Sequence, residues 1–185
     1  MAGLPKYLIE TPARLSAGSA TDKDVLSDVL RSIRISGSVQ FCFMPGGAWE
    51  TDASPSPYRP PSVMPFHILA EGTCWVELEG ERATLRQGDV VAFPQGTGHM
   101  VGAGTGGRLL DPGGDLPPKP WREVPILRYG QEHPRVRLIC GYLQCEAVGF
   151  RLLRDALPRF IHIRTAEGDD AGWFTAMIAQ IVAEI

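Results

Sequence analysis

The chain has 185 residues, enough for one domain with a sizeable core, and a net charge of −3 at pH 7. Its 21 glycines and 16 prolines make up a fifth of the chain, and 44% of its residues are hydrophobic, which is typical of a globular protein rich in turns. The acidic balance argues against a basic surface that neutralises nucleic-acid phosphates, and no apolar run reaches the ~18 residues that a membrane span needs.

The first 20 residues show no sustained periodicity, and we expect residues 1–20 to form a loosely attached arm. They contain no apolar block of signal-peptide length, so we expect a cytoplasmic rather than a secreted protein. No Cys-x-x-Cys pair occurs, and we expect reduced thiols that are either packed or available to a metal. The chain's cysteines are Cys42, Cys74, Cys140 and Cys145.

The segment after the arm changes from a helical to a strand-like pattern. From Thr21 the apolar spacing predicts a short amphipathic helix that is stopped by Ser36-Gly37. Alternating polar and apolar residues then predict a half-buried strand around Val39–Phe43. The proline-rich stretch from Pro45 to Ser62 is expected to be a loop.

The middle of the chain carries short apolar runs separated by turn residues, from Val63 to Val101. This spacing predicts an antiparallel sandwich or barrel. Glycine and proline supply more than half of Gly102–Pro120, which is expected to be a long loop, either a lid or a disordered insertion. Further strands are predicted at 124–129 and 136–145, followed by a helical turn before Pro158 and an edge strand within 159–164.

The final segment, which begins at Asp169, places an apolar stripe on one helical face. No stop signal follows, so this helix is expected either to fray at a natural terminus or to continue toward a further domain. The stripe is too apolar to leave in water, and we expect it either to form a dimer interface or to pack on the protein's own barrel. Its members are Trp173, Phe174, Met177, Ile178 and Ile181.

One motif is more specific than the general pattern: residues 88–99 fit the spacing G-x5-P-x-G-x2-H. Gly88-Asp89 turns into a strand, Pro94-x-Gly96 turns out of it, and His99 begins the next strand. This motif resembles the second signature motif of cupins, which are small β-barrels of the jelly-roll type. The resemblance implies a mainly β fold, a double-stranded β-helix with a short N-terminal helix and C-terminal helices.

The first cupin motif, H-x-H-x3-E-x6-G, can be registered with its last glycine on Gly80. This register retains His67 but puts Leu69 at the second histidine position and Thr73 at the carboxylate position. Two of the four ligands of the iron or manganese site in enzymatic cupins are therefore absent. Their absence argues against oxygenase or isomerase chemistry.

A longer series of residues resembles the N-terminal cupin domain of AraC-type transcriptional regulators, over roughly residues 22–185. The series includes Pro65-Phe66-His67, Ile139-Cys140-Gly141-Tyr142 and Ala156-Leu157-Pro158. The resemblance implies a cupin domain at 21–168 and, at 169–185, the start of a helix that leads to a helix-turn-helix DNA-binding domain absent from this chain. It also implies a small-molecule effector, a homodimer, contact with DNA only through the absent domain, and no catalysis.

The resemblance places His67 and His99 at cupin ligand positions, and imidazole suits zinc, iron or nickel. A third donor would be needed. Cys140 is the preferred candidate, because a His2Cys set suits zinc, and Cys74 and His162 are the other possibilities. In the alternative interpretation both histidines are hydrogen-bonded, no metal is held, and Cys140 is a small buried apolar residue.

Aromatic residues on the predicted strands either line an organic ligand pocket or form ordinary core. These residues are Phe41, Trp75, Phe93 and Tyr142. The leading hypothesis is the ligand-sensing and dimerisation domain of a transcriptional regulator. The alternatives are a metal-dependent cupin enzyme with a reduced two-histidine site and a stand-alone interaction protein; no spacing indicates a nucleophile–base triad.

Overall fold

The computed structural model describes residues 35–54, 63–130, 133, 135–145 and 154–164, together with helical positions 172, 176, 179–181 and 183. The predicted arm and N-terminal helix lie outside the described residues. So do four of the five members of the predicted C-terminal stripe, namely Trp173, Phe174, Met177 and Ile178.

The described residues form two β-sheets that face each other across the core. One sheet has the strand order β11-β6-β3-β10-β1-β9, and the other has the order β5-β4-β7-β2-β8. The strands are β1 (Ile35–Pro45), β2 (Trp49–Asp52), β3 (Val63–Glu71), β4 (Thr73–Leu78), β5 (Glu81–Arg86), β6 (Val90–Ala92), β7 (Met100–Ala103), β8 (Arg108–Leu110), β9 (Ile126–Tyr129), β10 (Arg137–Cys145) and β11 (Ile161–Ile163). The chain crosses repeatedly between the sheets, as in a jelly roll, and the expected mainly β fold is confirmed.

Each strand places alternate side chains on opposite faces of its sheet. In β3, Leu69 belongs to the main core between the sheets, whereas Ile68 belongs to a second cluster. That second cluster, which we call the outer cluster, joins Ile68 and Ile139 to partly buried residues that include Phe66 and Ile181. Because Ile181 lies in the C-terminal helix, at least this position of the helix packs on the back of the six-stranded sheet.

Three local expectations were wrong. Ser36-Gly37 does not end a helix but lies in β1, which begins at Ile35. The predicted loop at 45–62 contains β2, where buried Trp49 packs edge-on against Phe43 with ring centres 5.1 Å apart. The glycine-rich segment 102–120 contains the end of β7 and all of β8, which pairs in parallel with β2. Tertiary pairing here outweighs weak local propensity.

The later elements agree with expectation. β9 and β10 fall within the two predicted strand segments, and residues 154–156 form a helical turn just before Pro158. β11 is an edge strand of the six-stranded sheet, paired with β6. Within the described parts of the chain, no helix has the length and apolar character needed to cross a membrane.

Candidate functional site

A single row of side chains crosses the inner face of the six-stranded sheet. In this row His162 lies opposite Val91, Val91 opposite His67, His67 opposite Cys140, and Cys140 opposite Phe41. Residues directly opposite one another on paired strands share a face. The register therefore brings His67 and Cys140, which are 73 residues apart in the chain, into contact.

His67 and His99 form the centre of a buried hydrogen-bonded chain. Nδ1 of His67 lies 3.2 Å from Sγ of Cys140, and its Nε2 lies 2.8 Å from Nε2 of His99. Nδ1 of His99 lies 3.0 Å from the carbonyl oxygen of Thr97. His67, His99 and Cys140 are 7%, 3% and 6% exposed, so the chain of contacts is enclosed.

When both histidines and Cys140 are neutral, the contact with the Thr97 carbonyl fixes the position of each hydrogen in this series of hydrogen bonds. A carbonyl oxygen only accepts, so Nδ1 of His99 carries hydrogen and its Nε2 accepts. The hydrogen between the two rings then belongs to Nε2 of His67, and Nδ1 of His67 accepts from the Cys140 thiol. Each of these three contacts thus has one donor and one acceptor, which is the arrangement that burial favours.

The electrostatic environment keeps the thiols protonated. Burial raises the pKa of Cys140 well above its ordinary value, with smaller contributions from the thiols of Cys42 and Cys74. Burial, followed by the carboxylate of Asp89, raises the pKa of Cys74 to about 12. At neutral pH Cys140 is therefore a thiol that can donate to His67.

Phe93 encloses the histidine pair. Its ring is fully buried and stacks on His99, with ring centres 3.5 Å apart and planes 10° apart. It also meets His67 edge-on, with centres 6.2 Å apart, and Phe160 at 5.6 Å. Phe93, which the sequence offered as pocket lining or core, is a core residue.

The expected His2Cys metal set does not fit this arrangement. A single ion can use only one of the two ring nitrogens of His67, and Cys140 faces Nδ1 while His99 faces Nε2. Among the described residues, no group of three or more His, Cys, Asp or Glu side chains is placed to hold a metal ion. The three residues come together, but as neighbours in a hydrogen-bonded chain.

The other histidine of the row has a carboxylate partner. Nε2 of His162 lies 2.9 Å from Oδ2 of Asp89, and both side chains are largely buried. The same oxygen accepts the backbone N–H of Arg86 at 2.9 Å. This contact ties edge strand β11 to the turn between β5 and β6. Sequence reasoning treated Asp89 only as a turn residue.

A groove of about 650 Å³ opens at one mouth of the barrel, beyond the row that contains Cys140. Its floor comes from the inner faces of β1 and β10, and residues 113–121 form the opposite wall. A β-bulge between Val39 and Phe41 lets two successive residues, Gln40 and Phe41, line it. The lining residues are Ser36, Gly37, Ser38, Gln40, Phe41, Val63, Gly113, Leu116, Pro117, Lys119, Trp121, Tyr142 and Gln144.

Two of the four aromatic candidates, Phe41 and Tyr142, line this groove. Trp75 lies on the outer face of the five-stranded sheet, against Gly102 and beneath the Arg82 guanidinium, 3.6 Å from the ring centre. Sequence reasoning missed the polar floor. The alternation of Ser36, Ser38 and Gln40 is the available signal, but the sequence pattern assigns Ser36 to the end of a helix and only Ser38 and Gln40 to the polar positions of a strand.

Comparison with known proteins adds three findings. The family model described as Cupin matches residues 24–185. An uncharacterized HTH-type transcriptional regulator of Haemophilus influenzae is 27% identical over 106 residues, which span 55% of this chain and 33% of that protein. The crystal structure of the protein YhaK from Escherichia coli matches with a TM-score of 0.34 and 12% identity, over 73% of this chain and 52% of that one.

Proposed function

The chain belongs to the cupin family, and we propose that it is the ligand-sensing and dimerisation domain of an AraC-type transcriptional regulator. Similarity to an HTH-type regulator supports the regulatory role, although the matched region covers only 33% of that protein. In this proposal a helix-turn-helix domain outside residues 1–185 contacts DNA. The net charge of −3 is consistent with a domain that does not itself neutralise phosphates.

The observation that carries ligand sensing is the groove at the barrel mouth. Its volume of about 650 Å³ lies within the range of small-molecule sites. Phe41, Tyr142 and Trp121 supply aromatic surface, while Ser38 and Gln144 supply neutral hydrogen-bonding groups. A concave surface of this mixed character is suited to a small organic effector.

The enclosed histidine chain supports a binding role over catalysis. Cys140 and His67 form a thiol–imidazole pair, but burial keeps the thiol protonated and Phe93 covers His99. A nucleophile needs both activation and access to substrate, and this pair has neither. We therefore assign it to the stability of the barrel.

Strand β10 contributes both to the groove and to the outer cluster on which the C-terminal helix packs. This strand therefore provides a physical link between a bound effector and the C-terminal helix. Tyr142 of β10 lines the groove, whereas Ile139 of the same strand lies in the outer cluster with Ile181. Because Ile139 and Ile181 pack in the same cluster, an effector that favours one position of β10 also favours one position of the C-terminal helix. Regulation requires this differential binding between two arrangements.

A ligand panel tests the sensing role. Purified protein is screened by thermal shift against organic acids, sugars, amines and aromatic compounds, and a stabilising compound is expected. Ser38→Trp fills the groove and should abolish the shift, whereas Thr84→Trp, at an exposed position of β5 outside the groove, should retain it. A panel without any stabilising compound, or a shift that survives Ser38→Trp, contradicts ligand sensing at this groove.

Dimerisation through the predicted stripe is tested separately. Met177→Glu should convert a dimer to a monomer in sedimentation equilibrium, while Ala183→Glu, at an exposed helical position, should not. Ile181 is left unchanged in this test, because it packs on the outer cluster of its own barrel. A dimer that persists in Met177→Glu contradicts this interface. The regulatory assignment itself predicts a basic, helical continuation in the codons after Ile185, and a stop codon there contradicts it.

A further inference from the structure

The charge of the groove restricts the classes of molecule that would fit it. Among the described residues that line it, Lys119 alone carries a charged side chain. Its Nζ lies 4.7 Å from the centre of the Trp121 ring, which holds the ammonium group by a cation–π contact. The groove therefore combines one positive charge with aromatic surface at its wall.

The segment that presents Lys119 is braced by its own contacts. Nε1 of Trp121 donates a hydrogen bond to the carbonyl of Pro117 at 2.8 Å. Two carboxylates of the same loop have other partners: Asp115 accepts from the Tyr129 hydroxyl at 2.7 Å, and Asp111 accepts from the backbone N–H of Gly114 at 2.9 Å. Neither Asp111 nor Asp115 lines the groove.

The remaining lining is neutral and distinguishes between classes of ligand. A cation would meet Lys119 without any lining carboxylate to offset it. A phosphate monoester, with a charge near −2 at neutral pH, is usually bound by several cations or backbone N–H groups, and one lysine does not supply these. A carboxylate needs a single positive charge with nearby hydrogen-bond donors. Gln40 Nε2 already donates to Ser38 Oγ at 2.8 Å, and the Ser38 hydroxyl hydrogen and the Gln144 amide supply further donors on the floor.

We propose that the groove binds a small organic acid, with its carboxylate at Lys119 and its apolar or aromatic body between Phe41, Trp121 and Tyr142. This inference rests on the proposed sensing function and names its ligand class. The volume of about 650 Å³ accommodates a molecule of the size of an aryl-substituted short-chain acid.

The test compares matched probes by isothermal titration calorimetry. The probes are 4-phenylbutyrate, its neutral amide 4-phenylbutyramide, and phenyl phosphate, each titrated into the full chain. We expect 4-phenylbutyrate to bind at least about tenfold more tightly than the amide, as a charge-assisted hydrogen bond allows, and more tightly than phenyl phosphate. A higher salt concentration should reduce the difference in affinity between 4-phenylbutyrate and 4-phenylbutyramide, because salt screens the charge of Lys119.

Variants assign the difference to Lys119. Lys119→Gln should remove the preference for the acid while leaving the affinity for the amide unchanged, and Lys119→Arg should retain the preference. Arg122→Gln is the matched control, because it neutralises a neighbouring loop cation that does not line the groove.

The outcomes separate this inference from the proposed function. Equal binding of acid and amide, tighter binding of phenyl phosphate, or a preference that survives Lys119→Gln overturns the organic-acid assignment alone. The organic-acid assignment is also overturned if the protein does not bind 4-phenylbutyrate but is stabilised by neutral compounds, and if Ser38→Trp abolishes that stabilisation. A protein that no compound of any class stabilises overturns ligand sensing, and this inference with it.

Discussion

The same three strands, β1, β3 and β10, build two very different regions of the barrel interior. At the sealed region, His67 and Cys140 are at most 7% exposed and face each other, and the ring of Phe93 meets His67 edge-on. At the open region, two residues further along β10, Tyr142 is only half-buried and lines the groove. The neighbouring strands β1 and β10 therefore pass from buried core to solvent-facing groove within two residues.

The difference lies in how polar groups are satisfied. In the sealed region each polar atom of the histidine chain meets a protein partner, because an unpaired buried group costs about 1–3 kcal/mol. In the groove, Gln40 Nε2 also donates to Ser38 Oγ at 2.8 Å, but the side chains of Ser36 and Ser38 are exposed and so remain accessible to water and to a ligand. Polar residues of the sealed region thus contribute to stability, whereas those of the open region are available for binding.

The largest expected effect is at the sealed region. Phe93→Ala removes the ring that stacks on His99 and should lower the free energy of unfolding by about 3–5 kcal/mol, measured by urea denaturation. Leu109→Ala, at a position that is 69% exposed on β8, is the matched control and should change it by less than about 0.5 kcal/mol. Similar losses in the two variants would show that the region is not tightly packed.

The second-largest expected effect is at Gly141, which lies between Cys140 of the sealed region and Tyr142 of the groove. A Cβ at Gly141 would lie 2.4 Å from Cζ of Phe66 and 2.6 Å from the backbone oxygen of Ser38. Gly141→Ala should therefore displace β1 beside the groove and lower stability by about 1–3 kcal/mol. Gly37→Ala is the control, because its nearest neighbour is the flexible end of Leu143 at 3.2 Å. Equal effects of the two substitutions would contradict close packing at Gly141.

A pH dependence follows from the buried thiols. Burial raises the pKa of Cys74 from an ordinary value of 9.0 to about 12. The folded state thus holds this proton more tightly than the unfolded chain does. The resulting contribution of Cys74 to the free energy of unfolding is complete below pH 9 and is lost as pH rises toward 12. At pH 10 the loss is about 1 kcal/mol. Urea midpoints between pH 7.5 and about 10 should fall less steeply for Cys74→Ala than for the unmodified chain, and parallel slopes would contradict the shift.

The smallest expected effect on stability is in the groove. Gln144→Ala removes a half-buried polar side chain from the groove floor and should change the free energy of unfolding by less than about 0.5 kcal/mol. The same variant should weaken a ligand that the thermal-shift panel identifies. A large loss of stability with unchanged ligand affinity would reverse the assigned roles of the two regions.

Much of the fold was accessible from local pattern. Turn residues between short apolar runs predicted the barrel, and the spacing from Gly88 to His99 identified its cupin character before any contact was known. The cupin resemblance placed His67 and His99 in one site, with Cys140 as the preferred third donor to a metal, and the structure brings these three residues together. Local pattern failed at Ser36-Gly37 and at Trp49–Asp52, where strand pairing with distant segments outweighs the local turn-forming residues.

Spacing along the chain establishes turns and alternation, because both depend on neighbouring residues. It does not establish which ring nitrogen of His67 meets Cys140, or that His162 meets Asp89, since each of these contacts joins residues 73 positions apart. Cross-strand register sets those contacts, and with them the hydrogen-bonded arrangement of His67, His99 and Cys140. The groove likewise requires residues 113–121 to lie across β1 and β10, an arrangement that follows from packing between distant segments and not from any local pattern.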